Sequence, residues 1–265
     1  MLDAGSGKRM NNIRDLGATG GAPLMSVVIV CFNAAGTISD AIKSVAAQQR
    51  DDVELVVIDG NSSDGTVEVI ERHAGLIDYW VSEPDTGIYN AWNKAILAAK
   101  GRYIAFIGAD DVLLPGALDA YARLIACCPE AELLSSRVRY GEGARARVIG
   151  SPWQWDRFRR HMSIAHVGSM HRRSLFERIG LYDESFAIAG DYELLLRAGP
   201  TLCTAYMTDI TAVMGTGGIS SGRSRAVFDE GARAKQLHSQ LPTWTLSLDR
   251  WHAMARHRLR HLMKI

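Results

Sequence analysis

Two adjacent carboxylates, Asp110 and Asp111, end an apolar run that starts at Ile104. The run reads as a buried strand, bounded by Gly101 before it and by Pro115-Gly116 after it. Ligands of open α/β sheets gather where strands end. Two carboxylates at such a place repel each other unless a cation lies between or beside them. A hard divalent ion such as Mg²⁺ or Mn²⁺ needs few protein oxygens when phosphates supply the rest. The pair therefore reads as a metal–diphosphate site. An Asp pair that merely caps a turn accounts for the same residues.

Two more acidic turns follow apolar runs. One is Asp59-Gly-Asn-Ser-Ser-Asp64-Gly-Thr, the other Glu83-Pro-Asp85-Thr-Gly87. If the strands are parallel, all three turns share one sheet edge. Asp59 and Asp85 are then placed to accept hydrogen bonds from the N–H of a base or from a ribose hydroxyl. Asp64, just before a helix, reads as its cap. The first strand runs into 31–36, with Asn33 at its centre, whose backbone can lie beside a base or phosphate. No Walker-type lysine motif occurs. The Gly-rich stretch 17–22 precedes the first strand, so it is no dinucleotide fingerprint.

The elements that must position these residues alternate. Strands are expected at 26–32, 53–58, 79–82 and 103–107, and helices at 37–48, 66–73, 88–99 and 115–127. Such alternation means α/β: a mostly parallel sheet with helices on both faces. After residue 133 the rhythm changes. Short strands, a Trp-rich stretch (Trp153, Trp155, then Phe158) and helices at 174–179 and from 191 suggest a smaller subregion on the same sheet. Helices at 223–240 and 246–263 close the chain. Residues 1–24 are expected to be a flexible leader without a secretion signal.

Composition fits a globular protein: 265 residues, 47% hydrophobic, 22% charged, formal charge +1. Near-neutral charge argues against a nucleic-acid partner. Cys31, Cys127, Cys128 and Cys203 show no metal or disulfide spacing and suit a reducing compartment. From Ala232 onward, seven Lys or Arg stand against one acid, Asp249. Within 244–265, Trp244, Leu248, Trp251, Met254, Leu259 and Leu262 fall near one helical stripe. That pattern suits peripheral contact with an anionic membrane. It equally suits packing on the domain or on a second subunit, as in a homodimer.

Six pieces, in order, resemble the family 2 glycosyltransferases of the GT-A fold. They are SVVIVCFNAAGTISDAIKSVAAQ, ELVVIDGNSSDGT, SEPDTGIYNAWNKAI, GRYIAFIGADD, HVGSMHRRSLFERIGLYDESF and AGDYELLLRAG. The third is similar to enzymes of bacterial surface-polysaccharide assembly. The resemblance implies a GT-A domain over 25–222 with a Rossmann-like sheet and a smaller acceptor side, followed by a basic helical tail over 223–265. It implies a metal-dependent, inverting transfer from a nucleotide sugar, commonly a UDP-sugar, to a saccharide or polyprenyl-diphosphate-linked acceptor. The place would be the cytoplasm, at the inner face of the membrane.

The resemblance also implies roles. Asp110-Asp111 is the Asp-x-Asp-type element, with Asp111 the direct ligand of Mg²⁺ or Mn²⁺. Asp59 contacts the base and Asp85 supports the nucleotide pocket. Asp191 matches the general base that takes the acceptor proton; by residue type alone it is also a helix N-cap. Arg172 and Arg173 either pair with phosphate oxygens or form a solvated basic turn. His166 and His171 lie in the same piece; His166 would line the donor pocket or complete the metal shell. Ser220, in a Gly-rich loop, would close over the diphosphate. Trp153, Trp155 and Phe158 offer either an acceptor platform or core packing. Two departures stand out: Thr86 where many relatives carry a basic residue, and Ala95 where many have Gly. Two rivals remain. One is a non-catalytic nucleotide-sugar-binding protein on the same fold, which the presence of Asp111 and Asp191 disfavours. The other is a nucleotidyltransferase, which would need a basic residue in 31–36.

Overall fold

The computed structural model describes residues 8–11, 21–141, 143, 146–217, 224–242 and 244–245. The first half holds β1 (Lys8–Asn11), β2 (Met25–Cys31), α1 (Ile38–Ala46), β3 (Val53–Asp59), α2 (Thr66–Arg72), β4 (Tyr79–Ser82), α3 (Ile88–Ala98), β5 (Tyr103–Gly108), β6 (Val112–Leu113) and α4 (Ala117–Cys127), and it alternates as expected from β2 to α4 apart from the two-residue β6. The second half adds β7 (Leu133–Tyr140), β8 (Arg147–Ile149), α5 (Trp155–Phe158), β9 (Ser169–Arg172), α6 (Arg173–Ile179), α7 (Gly190–Ala198), β10 (Thr204–Met214) and α8 (Ser224–His238).

All ten strands join one sheet, in the order β1-β4-β3-β2-β5-β9-β7-β10-β6, with β8 paired to β7. Strands β2 to β5 are mutually parallel. The antiparallel β9 joins β5 to β7, which restores the direction for β7 and β10. Strand β1 corrects one expectation: part of the supposed flexible leader is an antiparallel edge strand on β4.

Both faces of the sheet are covered, and the strands show why. In β2, Val27 and Ile29 face one core with α1 and α4, while Val28 and Val30 face the other with α3 and α7. In β5, Ala105 and Ile107 take the first side, Ile104 and Phe106 the second. A strand buried on both sides reads as a nearly continuous apolar run, broken here only where polar side chains pair with each other, as Ser26 does with Glu54. Each such side chain contributes about 1.5–3 kcal/mol on full burial.

The two sheet edges differ. At the amino ends of the parallel strands the polar groups close on each other. Glu54, 3% exposed, accepts from Ser26 Oγ (2.5 Å), from the Gly101 amide (3.0 Å) and from the Lys100 amide. Arg173 donates to the carbonyls of Ile96 (3.2 Å), Gly101 (3.1 Å) and Ala99. It thus satisfies the last carbonyls of α3, where a cation is favoured by about 0.3–1 kcal/mol. At the carboxyl ends lie Cys31, Asp59, Ser82 and Gly108. There the chain turns outward into the acidic loops.

Candidate active site

The β5 run ends as Gly108 hands over to Asp110 and Asp111. Asp111 turns inward. It is 4% exposed, and its two oxygens accept from the amides of Gly108 (2.6 Å) and Gly215 (2.9 Å). Burial pushes its carboxyl up to about 6; the backbone amides pull the other way, and the neighbouring Asp110 charge adds to the rise. Asp110 turns outward. Its Oδ2 accepts from the Gly217 amide (3.1 Å), and its Oδ1 has no hydrogen-bond partner among the described residues. Glycine at 215 is a steric demand, because a Cβ there would run into the Asp110 carboxyl.

Beside this corner is an open pocket of about 490 Å³. Its walls include Phe32, Asn33, Asp85, Ile88, Asp110 and Gly217. Phe32 is 64% exposed, an aromatic face presented at a strand end. Asn33 adopts φ +51°, a region Asn tolerates, and its side chain takes the Ser63 amide (3.0 Å). Asp85 takes the Gly87 amide (2.9 Å). The Asp85 carboxyl occupies the space where a side chain at Gly60 would begin.

Asp59 stands elsewhere than expected. It is fully buried behind the pocket wall and takes hydrogen bonds from Ser62 N (2.9 Å), Ser62 Oγ, Ser82 Oγ (2.6 Å) and the Cys31 thiol (3.4 Å). With its lone pairs used inside the protein, it shapes the turn and offers nothing to a base; Asp85 is the carboxylate on the pocket side. Asp64 bridges two loops, accepting from Ala35 N (3.0 Å) and Thr66 N (3.0 Å). The N-cap of α2 is Gly65, so Asp64 stands one position before the cap and holds the turn into the helix.

The pocket leads to Asp191 through α3. Ile88 lines the pocket, and the next residue, Tyr89, reaches the start of α7. Its hydroxyl accepts the Asp191 amide (3.4 Å). Gly190 must be glycine there, since a Cβ would lie 2.8 Å from the Tyr89 ring. Asp191 is in the first turn of α7, not its N-cap, and its Oδ1 accepts the Tyr192 amide (2.8 Å). Desolvation raises its carboxyl to about 6, against hydrogen bonds from backbone and Tyr89. A carboxyl titrating near neutrality suits proton abstraction.

Four other expectations are corrected. Arg172 pairs with Glu130 (3.3 Å) and with Tyr103 in register, at the amino edge of β5. Arg173 caps α3 at that same edge. Neither reaches the pocket, because β9 runs antiparallel and carries them away from it. His166 and His171 are enclosed by aromatics, with ring centroids 5.3 Å apart and Trp92 4.5 Å from His166. Among the described residues the His166 ring nitrogens meet no hydrogen-bond partner, and burial lowers both rings, His171 to about 4 against the pull of the Ile104 backbone. These are neutral packing rings, and neither lines the pocket.

Trp153 packs on Phe158 (4.4 Å between centroids), and Tyr192 donates to the Phe158 carbonyl (2.9 Å), so this stretch buttresses α7. Ser220 and residues 246–265 of the tail lie outside the described residues. Sequence reasoning missed Phe32, Tyr89 and Glu230. A large apolar residue at an acidic strand edge could have flagged Phe32. Glu230, whose carboxylate accepts the amides of Ala187, Ile188 and Ala189 just before α7, has no local signal.

No three His, Cys, Asp or Glu cluster to hold a metal by themselves among the described residues. The donor set still fits a hard cation that brings phosphate oxygens: one outward carboxylate oxygen on Asp110, with Asp111 fixed behind it.

The chain matches the model of glycosyl transferase family 2 over residues 26–179. It is 32% identical over 232 residues to a PGL/p-HBAD biosynthesis glycosyltransferase of Mycobacterium bovis (strain BCG / Pasteur 1173P2), covering 84% of this chain and 86% of that one. An uncharacterized glycosyltransferase of Mycobacterium tuberculosis (strain CDC 1551 / Oshkosh) is 33% identical, with 83% and 86% covered. The fold is similar to S. aureus TarS 1–349 in complex with UDP-GlcNAc, at a TM-score of 0.63 and 18% identity, covering 88% and 72%. It is also similar to the mannosyltransferase PcManGT of Pyrobaculum calidifontis in complex with GDP-Man and Mn²⁺, at 0.59 and 19%, covering 91% and 76%. The chain therefore belongs to glycosyl transferase family 2 and is a glycosyltransferase with the GT-A fold.

Proposed function

We propose that the protein moves a sugar from a UDP-sugar to a saccharide or lipid-linked acceptor, with inversion at the anomeric carbon. The observation that carries this reading is the continuity of one site. Phe32, Asp85 and Asp110 line a pocket at the sheet edge, and α3 leads from its wall through Tyr89 to Asp191. Phe32 offers a face for the base. Asp85 accepts from base N–H or ribose hydroxyl. Asp110 would hold Mg²⁺ or Mn²⁺, with diphosphate oxygens completing the shell. A bound cation would stabilise the charge on the departing diphosphate. Asp191 takes the proton from the acceptor hydroxyl, whose oxygen bonds to the anomeric carbon opposite the leaving group. A single displacement of this kind inverts the centre.

The UDP-GlcNAc complex of TarS supports a UDP donor, and the Mn²⁺ complex of PcManGT supports a divalent ion. The PGL/p-HBAD relatives support an acceptor in bacterial surface glycan or glycolipid assembly. No helix among the described residues is long and apolar enough to cross a membrane. We place the enzyme at the inner membrane face through the basic stretch 244–265, on its sequence alone.

A panel of UDP- and GDP-sugars, each with Mn²⁺ or with EDTA, tests the reading. Nucleoside diphosphate should be released from one UDP-sugar only when Mn²⁺ is present. Donor binding without release from any sugar would leave a binding protein. Pyrophosphate release from a nucleoside triphosphate would instead reveal a nucleotidyltransferase.

A further inference from the structure

Immediately before α7 the chain presents three successive amides, those of Ala187, Ile188 and Ala189. All three donate to one carboxylate, Glu230 of α8, at 2.9, 2.8 and 2.9 Å. Consecutive amides that converge in this way form a concave anion site. The N-cap of α7, Ala189, has no side-chain cap of its own. The start of a helix favours a negative charge. Glu230 supplies that charge from forty residues downstream.

We infer that Glu230 is a positioning residue for Asp191: by gathering the amides of residues 187–189 it fixes the turn from which α7 departs, with Asp191 in its first turn. The inference rests on Asp191 being the base proposed above.

The helix that carries Glu230 is itself anchored on either side. Arg233 donates to the Ser185 carbonyl (3.1 Å) and hydroxyl (2.6 Å) and lies 4.1 Å over the Phe186 ring. Ala234 is fully buried. His238 meets Glu193, a buried residue of α7, at 2.7 Å. Residues 185–189 are thus clamped along their length by one face of α8. Both oxygens of Glu230 are held by the three amides, which fixes its carboxylate at the turn.

The placement joins the two ends of the site. Gly217, whose amide holds Asp110, is only seven residues before the start of α8 at Ser224. One stretch of chain thus serves both the cation corner and the base. Charge acts along with geometry. The groups that face Asp191 are Tyr89 from α3, Tyr182 from the loop after α6, and Glu230 from α8. The Glu230 charge opposes ionisation of Asp191, in addition to burial.

The test uses the full chain and needs no donor or acceptor. The Asp191 carboxyl is titrated by ¹³C NMR in aspartate-labelled protein, with D191N assigning its signal, and amide exchange is followed over 187–191. In Glu230→Gln the Asp191 midpoint should fall, and exchange at 187–189 should quicken on the order of tenfold or more. In Glu230→Asp, which keeps the charge on a shorter arm, the midpoint should stay close to the wild-type value while exchange rises. Should the Gln variant fail to fold, Glu230→Asp carries the exchange test alone. Faster exchange with an unmoved Asp191 midpoint in the Gln variant would reduce Glu230 to a structural clamp and overturn the inference. Unchanged exchange in both variants would also overturn it. Failure of the base assignment shows differently, as wild-type turnover in D191N whatever Glu230 does.

Discussion

Asp111 and Asp191 both carry carboxyls raised to about 6, and in both burial is the main cause. Their surroundings nevertheless give them different work. Asp111 is 4% exposed and accepts from two backbone amides, that of nearby Gly108 and that of Gly215, which is far away in sequence. Asp191 is half-buried, its carboxylate accepts its own neighbour's amide, and its backbone amide donates to the Tyr89 hydroxyl. A raised pKa alone therefore does not mark a base. Asp110, not Asp111, lines the pocket, and the proposal of Asp191 as the base rests on its place at the start of α7 beside Tyr89.

The sharpest way to break the comparison is Asp191→Asn. The amide fills the same space but cannot accept a proton. Donor binding should survive, while turnover falls on the order of 10²–10⁴-fold. The same logic fixes the pH dependence. Asp191 must be ionised to act, so wild-type turnover should decline as pH drops below about 6. Retained turnover in the variant, or a rate flat through that range, would make Asp191 a helix-start residue only.

The second test sets Asp110 against Asp111. Family likeness alone points to Asp111 as the cation ligand, whereas the structure turns Asp110 outward. Asp110→Asn should remove the Mn²⁺ dependence of UDP-sugar binding. Asp111→Asn, acting from behind, should weaken it on the order of tenfold. Titrations of a UDP-sugar with and without Mn²⁺ decide it. The reverse order of effects would mean that Asp111 rotates into the site when cation and diphosphate arrive.

The two halves of the molecule were not equally legible. In residues 26–127 each strand from β2 to β5 is mostly apolar and the helices show their stripes, so alternation alone placed Asp85 and Asp110 at one edge. The resemblance pointed to Asp191, and the structure sets it in the first turn of α7 beside Tyr89. Local spacing could not find the direction of β9. That strand is four residues long, and its pairing with β5 and β7 is set by contacts far away in sequence. Without that direction, phosphate pairing by Arg172 and Arg173 stood open beside a basic turn, whereas both lie at the far edge. His166 and His171 failed for a related reason. A histidine's type suggests a ligand, but only packing shows that Trp92 and Phe106 enclose the pair. Asp59 was placed at the correct edge, yet its saturation by Ser62, Ser82 and Cys31 depends on side-chain directions that no spacing encodes.

The smallest expected effect concerns the stretch 244–265. Its first residue, Trp244, is 67% exposed, and Leu237 nearby in sequence is 55% exposed, so apolar surface is already presented where the described chain ends. Five of the seven cations of the C-terminal stretch follow, at Arg250, Arg256, Arg258, Arg260 and Lys264, against the single acid Asp249. Each Lys or Arg near an anionic bilayer contributes about 1 kcal/mol, and salt screens that attraction. Deleting 244–265 should leave Mn²⁺-dependent hydrolysis of a soluble donor unchanged, because Phe32, Asp85, Asp110 and Asp191 all lie upstream. Binding to anionic vesicles should weaken. Co-sedimentation of both forms, at low and high salt, measures it. An intact protein that ignores anionic vesicles at low salt would refute membrane contact. A deletion that costs folding or dimerisation would assign the stretch to packing, on this domain or on a second copy of the chain.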